Sequence, residues 1–270
     1  MHGTSLASAK AVLADAEPVL AAAGADAETI GKQLLDAVST LDGSGPLRRA
    51  LTDPARDGAD KTALVKQLFK SADERTVEIL AQLAVKRWSR ENDLGDAVEF
   101  IGFEAMLIAA DNAGAMQTVA DQLFEFDREV HRYRELRIAL ADQELPAAQR
   151  TAVIEKLIGA LAHPISLELA KRAVAHPRGR TLTGSLVLIG DLAAARRNRK
   201  VATVTSAAEL SEAQRDRIKN LLKQIYGFEV QLNVTVEPDV LGGMRIQVGD
   251  EVFDATVLTR LSEARRSFAS

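Results

Sequence analysis

Residues 230–249 read VQLNVTVEPDVLGGMRIQVG, and at this stretch the hydrophobic pattern of the chain changes. Every second residue before the proline is apolar, and the alternation returns after the two glycines, at Val230, Leu232, Val234, Val236, Met244, Ile246 and Val248. A period of two is typical of half-buried β-strands. We therefore expect two adjacent strands, joined by a turn that contains Pro238.

The residues on either side of these strands carry helical signals. Ser211 and Gln214 have the spacing of a capping box, which predicts the start of a helix. The predicted buried face of this helix is formed by Ile218, Leu221, Leu222 and Ile225. After Asp254 a final helix is predicted, with apolar residues at Val257, Leu258, Leu261, Ala264 and Phe268. Residues 201–270 should therefore form a small α+β domain.

Upstream of this domain, from Ser5 to about Lys200, the pattern is helical. Apolar residues recur at helical spacing, as at Ile30, Leu34 and Val38, and strand signals are nearly absent. The sequence therefore predicts a mainly α protein, in which a helical bundle is followed by the small α+β domain.

The helical region contains an internal repeat. Residues 27–69 align without a gap on residues 116–158, at an offset of 89 residues. The identical pairs include polar positions that helical periodicity does not dictate: Gln33 with Gln122, Arg48 with Arg137 and Asp53 with Asp142. These polar identities favour duplication over a chance match between two Ala/Leu-rich stretches. The predicted domains are residues 1–113 and 114–200, which are the two repeat copies, and residues 201–270.

The composition disfavours several classes of protein. The formal net charge is −4, from 34 basic and 38 acidic residues, so no global positive field favours nucleic acid. The absence of cysteine excludes disulfides, thiolate nucleophiles and Cys-ligated zinc. No run approaches the roughly 20 apolar residues that span a bilayer, and Lys10, Asp15 and Pro18 interrupt the Ala-rich start before it resembles a signal sequence. We expect membrane association only through partners.

The sequence gives little support for a catalytic or metal site. The four histidines lack the spacing of metal ligands and are interpreted as loop or surface residues: His2, His131, His163 and His176. No nucleophile elbow or triad pattern is found. Gly242-Gly243 lacks the Gly-Lys-Ser/Thr ending of a P-loop and precedes a strand, so we predict that glycine serves a positive φ or a close backbone approach there. We expect no catalytic residue, metal or cofactor. An enzyme that binds phosphate at these glycines is a third alternative.

A basic cluster, Arg196, Arg197, Arg199 and Lys200, lies at the end of the last helix predicted in the helical region. Cations at this end of a helix complement its dipole, so a solvated helix end is the first interpretation. A helical adaptor that binds RNA through this cluster is the alternative function. Aromatic residues make up only 4% of the chain, and stacking on aromatic side chains is typical of RNA sites, so this alternative is disfavoured.

The stretch quoted first, with the residues after it, resembles the C-terminal signature of the delta subunit of F-type ATP synthase, whose mitochondrial homologue is the oligomycin-sensitivity-conferring protein. In that family an alternating strand leads through an acidic-Pro turn and a Gly-Gly step into a second strand, an Asp and an amphipathic helix. The matching residues are Val236, Glu237, Pro238, Leu241, Gly242, Gly243, Ile246, Gly249, Asp250, Asp254, Val257, Arg260 and Leu261. Glu237 stands where aspartate is usual.

The resemblance implies a non-catalytic subunit of the peripheral stalk, which links the catalytic head to the membrane-anchored b subunit and resists rotor torque. The helical region would bind N-terminal segments of the alpha subunits, and the C-terminal domain would bind the b subunit, at the cytoplasmic face of the bacterial plasma membrane. Residues expected to bind partners are Val257, Leu258 and Leu261 on the final helix and Leu6 and Leu13 on the opening helix. Because the chain is longer than typical members by about one repeat unit, which copy contacts the head stays open.

Overall fold

The computed structural model describes residues 1–199, 201–226, 230–237, 243–248 and 251–254. The chain divides into two compact units, Met1–Leu192 and Ala193–Ser270. The first is helical and the second contains the sheet, so the predicted fold class is confirmed. In the described part of the chain, no helix is both long enough and apolar enough to cross a membrane.

Eleven helices begin before residue 200 in the described part of the chain. The first six are α1 (Gly3–Ala22), α2 (Asp26–Gly43), α3 (Gly45–Thr52), α4 (Gly58–Leu68), α5 (Glu74–Val85) and α6 (Glu91–Asn112). The next five are α7 (Met116–Arg132), α8 (Arg134–Ala141), α9 (Ala147–Ile158), α10 (Pro164–Ala175) and α11 (Leu182–Arg199). The helical pattern read from the sequence predicted this region correctly.

Helix α6 is the centre of the helical unit, because it packs against α1, α2, α3, α5, α7 and α10. Sixteen of its 22 residues are buried, so it has no solvated face of the kind that an amphipathic surface helix shows. Two glycines let α2 and α6 approach closely. A Cβ on Gly31 would lie 2.8 Å from the Met106 side chain, and one on Gly102 would lie 2.9 Å from Leu35.

Gly102 and Gly190 should respond in opposite ways to alanine. A Cβ on Gly190, in the interior of α11, meets nothing within 4 Å, so Gly190→Ala should stabilise the protein by up to about 1 kcal/mol through helix propensity. Gly102→Ala should instead cost about 1–2 kcal/mol, because the methyl group overpacks the α2/α6 contact. Urea denaturation of both variants measures the difference, and a stabilised Gly102→Ala protein would contradict the close packing.

The structure repeats the order of its helices. Helices α7 to α11 follow the order of α2 to α6, and each begins 89 to 91 residues after its counterpart. The turns before them also correspond, since Gly24 after α1 has φ +58° and Gly114 after α6 has φ +67°. Helix α6 is therefore the last helix of the first copy and occupies the place of α1 in the second. The domain boundary at residues 113/114 stays a prediction.

The glutamines shared by the two copies make the same hydrogen bond. The Oε1 atom of Gln33 in α2 accepts from the backbone N–H of Asp73 at 2.9 Å, and that of Gln122 in α7 accepts from the backbone N–H of His163 at 2.8 Å. Asp73 and His163 are the N-cap residues of α5 and α10. A backbone N–H that the helix itself cannot satisfy is thus paired in both copies.

The other shared polar residues also have matching roles. The guanidinium of Arg48 donates to the carbonyl of Leu41 at 2.6 Å, and that of Arg137 donates to the carbonyl of His131 at 3.4 Å, so each binds the end of the preceding helix. Asp53 and Asp142 each accept from the backbone N–H two residues later, at 2.9 and 3.0 Å. These bonds explain why polar identities accompany the apolar repeat.

The second unit contains a four-stranded sheet in the order β2-β1-β3-β4. Its elements are β1 (Val201–Ser206), α12 (Glu212–Tyr226), β2 (Gln231–Val236), β3 (Met244–Val248) and β4 (Glu251–Asp254). The expectation that β2 and β3 are neighbours was wrong, because β1 lies between them, parallel to β2 and antiparallel to β3. The crossover through α12 places β2 beside β1 and leaves the other edge of β1 for β3.

Helix α12 begins as predicted but buries a narrower face. Gln214 Oε1 accepts from the Ser211 N–H at 2.9 Å, and the Gln214 N–H donates to Ser211 Oγ at 3.3 Å, which confirms the capping box. Ile218 and Leu222 pack on the sheet, whereas Leu221 is 52% exposed and Ile225 is 55% exposed. The prediction that these last two are buried was wrong, since the small sheet covers only one stripe of the helix. The predicted final helix lies outside the described residues.

Candidate functional site

Gly243 lies at the turn into β3 and has φ +85°, in the left-handed region that favours glycine. Met244 opens β3 directly after it. The glycine therefore shapes the entry to a strand, as predicted, and the helix start that a P-loop phosphate site requires does not follow it. Further motif residues lie outside the described part of the chain: Pro238, Leu241, Gly242, Gly249, Asp250, Val257, Arg260 and Leu261.

The remaining described motif residues hold the sheet together. The Glu237 N–H donates to the Ser206 carbonyl at 2.9 Å, which ties the end of β2 to the end of β1. Ile246 packs against the core of the unit, and Asp254 lies opposite Arg245 in the β3–β4 ladder. These described residues lie within strands or at strand ends and converge on no concave site, so the role observed for them is structural.

The residues expected to bind partners are placed unevenly. Leu6 is half-buried in α1, and Leu13 is 6% exposed and belongs to the core. Helix α1 is anchored through Ser5, whose hydroxyl donates to Asp93 at 2.7 Å and accepts from the Ser89 N–H at 2.9 Å. Val257, Leu258 and Leu261 lie outside the described residues. Partner binding by all five stays a prediction, and Leu6 is the more accessible of the two in α1.

The basic cluster differs from the expected solvated helix end. Arg196 is 4% exposed and therefore buried, whereas Arg197 is exposed. The side chain of Arg199 and all of Lys200 lie outside the described residues. Because a buried guanidinium cannot track a nucleic-acid backbone, the cluster offers less positive surface than the sequence indicated, and its described side chains do not support RNA binding.

The histidines have structural roles or face solvent. The ring of His163 accepts from the Ile165 N–H at 3.3 Å and caps α10, and His131 is exposed on α7. Burial and the neighbouring Arg172 lower the pKa of the half-buried His176. The described residues contain no group of three or more His, Asp or Glu side chains that could hold a metal ion.

An ion cluster that the sequence did not indicate joins the two repeat copies. It consists of Asp42, Asp96 and Glu99 from the first copy and Arg178 and Arg180 from the second. Arg180 donates to both carboxylate oxygens of the buried Glu99, at 2.8 and 2.7 Å. Arg178 donates to Asp96 at 3.0 Å, and its Nε atom forms an ion pair with an Asp42 carboxylate oxygen at 3.4 Å. Charges that lie more than 80 residues apart in the sequence carry no local signal, so only the fold pairs them.

The loop that carries the arginines of this ion cluster is held in an unusual conformation. Arg178 has φ +50°, which is uncommon for a residue with a side chain, and Gly179 follows at φ +76°. Gly95 of α6 makes room for the Arg178 guanidinium, because a Cβ there would lie 2.8 Å from it. The two ion pairs of Arg178 therefore offset the free-energy cost of its positive φ.

The second unit exposes several large apolar side chains. Leu221 and Ile225 lie one turn apart on α12, and the others are on strands, where Val236 is 42%, Val252 53% and Phe253 43% exposed. Single exposed apolar residues are normal, but five among the described residues of a unit this small make it a candidate docking module.

The family model of the ATP synthase delta (OSCP) subunit matches residues 104–268, from within α6 to near the C-terminus. The ATP synthase subunit delta of Beutenbergia cavernae is 43% identical over 270 residues, 100% of both chains. That of Acidothermus cellulolyticus is 39% identical over 274 residues, also 100% of both chains. That of Streptomyces avermitilis is 38% identical over 270 residues, 100% of this chain and 99% of its own.

These matches clarify the extra length. The family model covers the second copy and the sheet unit, and relatives of the same length share the first copy as well. The long form is therefore common to several delta subunits. The chain belongs to the ATP synthase delta (OSCP) subunit family, and it is a non-catalytic subunit of the peripheral stalk of F-type ATP synthase.

Proposed function

We propose that the helical unit binds N-terminal segments of the alpha subunits on the catalytic head, and that the sheet unit binds the membrane-anchored b subunit. The chain then connects the two at the cytoplasmic face of the bacterial plasma membrane and holds the head against rotor torque. The division into two compact units is the observation that carries this proposal, since a stator link needs two separate attachment surfaces. Slow dissociation under load requires a large, well-packed contact at each end.

Within the helical unit, the second copy is proposed as the part that contacts the head. The family match begins inside α6 and includes α7 to α11, so it aligns the second copy with the bundle that family members share. The first copy is then an added bundle, joined to the second through α6 and the ion cluster.

The b subunit is proposed to bind the exposed apolar residues of the sheet unit. Leu221 and Ile225, at i and i+4 on α12, form a stripe that a partner helix can cover. Val257, Leu258 and Leu261, which the sequence predicts to lie on a C-terminal helix, are proposed as a second contact with the b subunit. Both segments follow the helix-in-groove mode of recognition, in which anchors at helical spacing supply the contact.

The stalk assignment of this chain is tested on inner membranes. Washing them at low ionic strength without divalent cations should release the chain together with the ATPase head. The released material is resolved by native electrophoresis and probed for the chain. A chain that stays on the membrane while the head leaves, or that leaves without it, would contradict the proposed link.

Leu221→Asp should weaken binding of the b subunit at least tenfold while leaving the sheet unit folded, because a carboxylate would be buried in the interface. Asn220→Asp is the matched control, since it adds the same charge at the neighbouring exposed position. Binding is measured by pull-down with the cytoplasmic part of the b subunit. Equal affinity of the two variants would remove α12 from the proposed interface.

A further inference from the structure

A cavity of about 240 Å³ lies where the two repeat copies meet. Helix α2 of the first copy contributes Lys32 and Asp36 to its walls, and helix α10 of the second contributes Lys171, Arg172 and His176. The cavity is smaller than the roughly 300–1,000 Å³ of pockets that hold drug-sized ligands. Since a water molecule takes up about 30 Å³ in the liquid, the cavity has room for a small ion and a few water molecules.

Arg172 is a buried charge in the wall of this cavity. It is 8% exposed, which is rare for an arginine. Its Nη1 atom donates to the Ser39 hydroxyl on α2 at 3.0 Å, and its Nε and Nη2 atoms make no hydrogen bond with any described residue. Burial lowers the pKa of Arg172, and the charge of Glu99 acts in the opposite direction without cancelling that effect. A buried cation thus has two donor nitrogens without an acceptor, although buried donors are normally paired.

The other charges of the cavity leave that of Arg172 unbalanced. Both lysines in the walls pair with a glutamate of their own helix, at 2.6 Å in α2 and 3.2 Å in α10. The carboxylate of Asp36 is exposed and forms no ion pair with a described residue. Because water and salt screen an exposed charge, Asp36 compensates the buried guanidinium only weakly.

A neutral residue stands at the equivalent position of the first copy. Arg172 lies nine residues after His163, the N-cap residue of α10, and Gln82 lies nine residues after Asp73, the N-cap residue of α5. The Gln82 amide donates to Glu78 of the same helix at 3.4 Å. The repeated fold therefore accepts an uncharged side chain here, and building the bundle does not require a guanidinium.

We propose that this cavity binds a small inorganic oxyanion of the phosphate type, which accepts hydrogen bonds from Nε and Nη2 of Arg172. These two nitrogens lie on one edge of the guanidinium and present the parallel N–H pair that binds two oxygens of one oxyanion. The ring of His176, in the same wall, can donate a further bond. Because Arg172 also binds Ser39, the bound anion fixes α10 of the second copy against α2 of the first. The inference does not depend on which subunits the chain contacts.

Thermal melting of the full chain tests this site, with sodium phosphate compared against sodium chloride at equal ionic strength. At a phosphate concentration about five times the dissociation constant, the melting temperature should be higher by about 2–4 °C than in chloride. Equal melting temperatures in the two salts would overturn the proposal.

Variants separate a binding site from the general stabilisation that phosphate gives by exclusion from protein surfaces. Arg172→Gln, which copies the equivalent residue of α5, should lose the extra stabilisation by phosphate. Arg172→Lys keeps the charge but not the two-nitrogen edge, and should bind phosphate at least tenfold more weakly. An unchanged effect of phosphate on Arg172→Gln would overturn the site.

A second pair of variants avoids the buried position and decides the question if Arg172→Gln does not fold. Lys171→Gln, in the cavity wall, should weaken phosphate binding about threefold. Lys156→Gln removes the same charge at an exposed position of α9 outside the cavity and should leave the affinity unchanged. Equal affinities of these two variants would contradict the proposed location.

ATP distinguishes a free anion from the phosphate group of a nucleotide. It carries the same phosphate chemistry on a body too large for a cavity of about 240 Å³, so it should bind at least tenfold more weakly than inorganic phosphate. Isothermal titration calorimetry of the full chain measures both affinities. Tighter binding of ATP would overturn the assignment to a small inorganic anion.

Discussion

Replacing Glu99 with alanine is expected to destabilise the helical unit by about 3–5 kcal/mol. Glu99 is 2% exposed in the centre of α6 and receives two hydrogen bonds from Arg180. Its removal leaves the guanidinium of Arg180 in a partly buried position without its carboxylate, and it opens a space in α6.

Urea denaturation of the full chain, followed by the loss of helical signal, measures the effect of Glu99→Ala. Glu125→Ala is the control, because it breaks the Arg128–Glu125 pair, in which both side chains are more than half exposed. Exposed pairs contribute about 1 kcal/mol or less, so the control should unfold at nearly the wild-type urea concentration. A similar loss of stability in both variants would show that the ion cluster between the copies contributes no more to the free energy of unfolding than an exposed ion pair.

The pH dependence of stability offers an independent test of Glu99. Burial raises the pKa of its carboxyl, and the charge and hydrogen bonds of Arg180 act in the opposite direction without cancelling that effect. A carboxyl with a higher pKa in the folded state contributes stability at pH values below its unfolded pKa and loses it as the pH rises through the folded pKa. Glu99→Gln, which cannot ionise, should remove this part of the pH dependence above the ordinary value of 4.5.

Phe103→Ala should cost about 3–5 kcal/mol, the second large effect we expect. Phe103 is 1% exposed and is among the largest fully buried side chains of the molecule. Because α6 is enclosed by helices from both copies, the surroundings cannot collapse easily into the space that the ring leaves. Chemical denaturation measures the loss.

Phe124→Ala provides the matched control for the phenylalanine prediction. This ring on α7 is 69% exposed, so its removal should change the free energy of unfolding by less than about 0.5 kcal/mol. If Phe103→Ala were as mild as Phe124→Ala, α6 could not be the common core of both copies.

The sequence predicted the features that depend on local pattern. The alternation of apolar residues predicted β2 and β3, and the helical spacing predicted the bundle. The polar pairs Gln33/Gln122 and Arg48/Arg137 indicated a repeat, and the hydrogen bonds of each pair correspond in the structure. The strand and helix patterns each lie within a short stretch of sequence, and the repeat is found by comparing the chain with itself at a fixed offset. A single sequence is therefore enough to detect all three.

Features that depend on long-range geometry were missed. Among the side chains of strand β1 that the structure describes, the buried apolar ones are Ala202 and Val204, so the pattern is too short to stand out, although β1 is the strand between β2 and β3. The exposure of Leu221 depends on the width of the sheet. Glu99 and Arg180 meet because two copies fold against each other, and no local pattern could pair them.

Helix α6 belongs to both copies, and this sharing bears on the origin of the long form. A bundle of six helices that was copied whole would contribute twelve, whereas the described helical unit repeats five helices and uses the sixth twice. This helix count is the one expected from an insertion of about ninety residues in phase with the bundle, because the end of one copy then serves at once as the beginning of the next. Such an insertion requires no new linker between the copies. Because the copies share a helix, a twist of one copy against the other would have to bend α6 rather than move a loop.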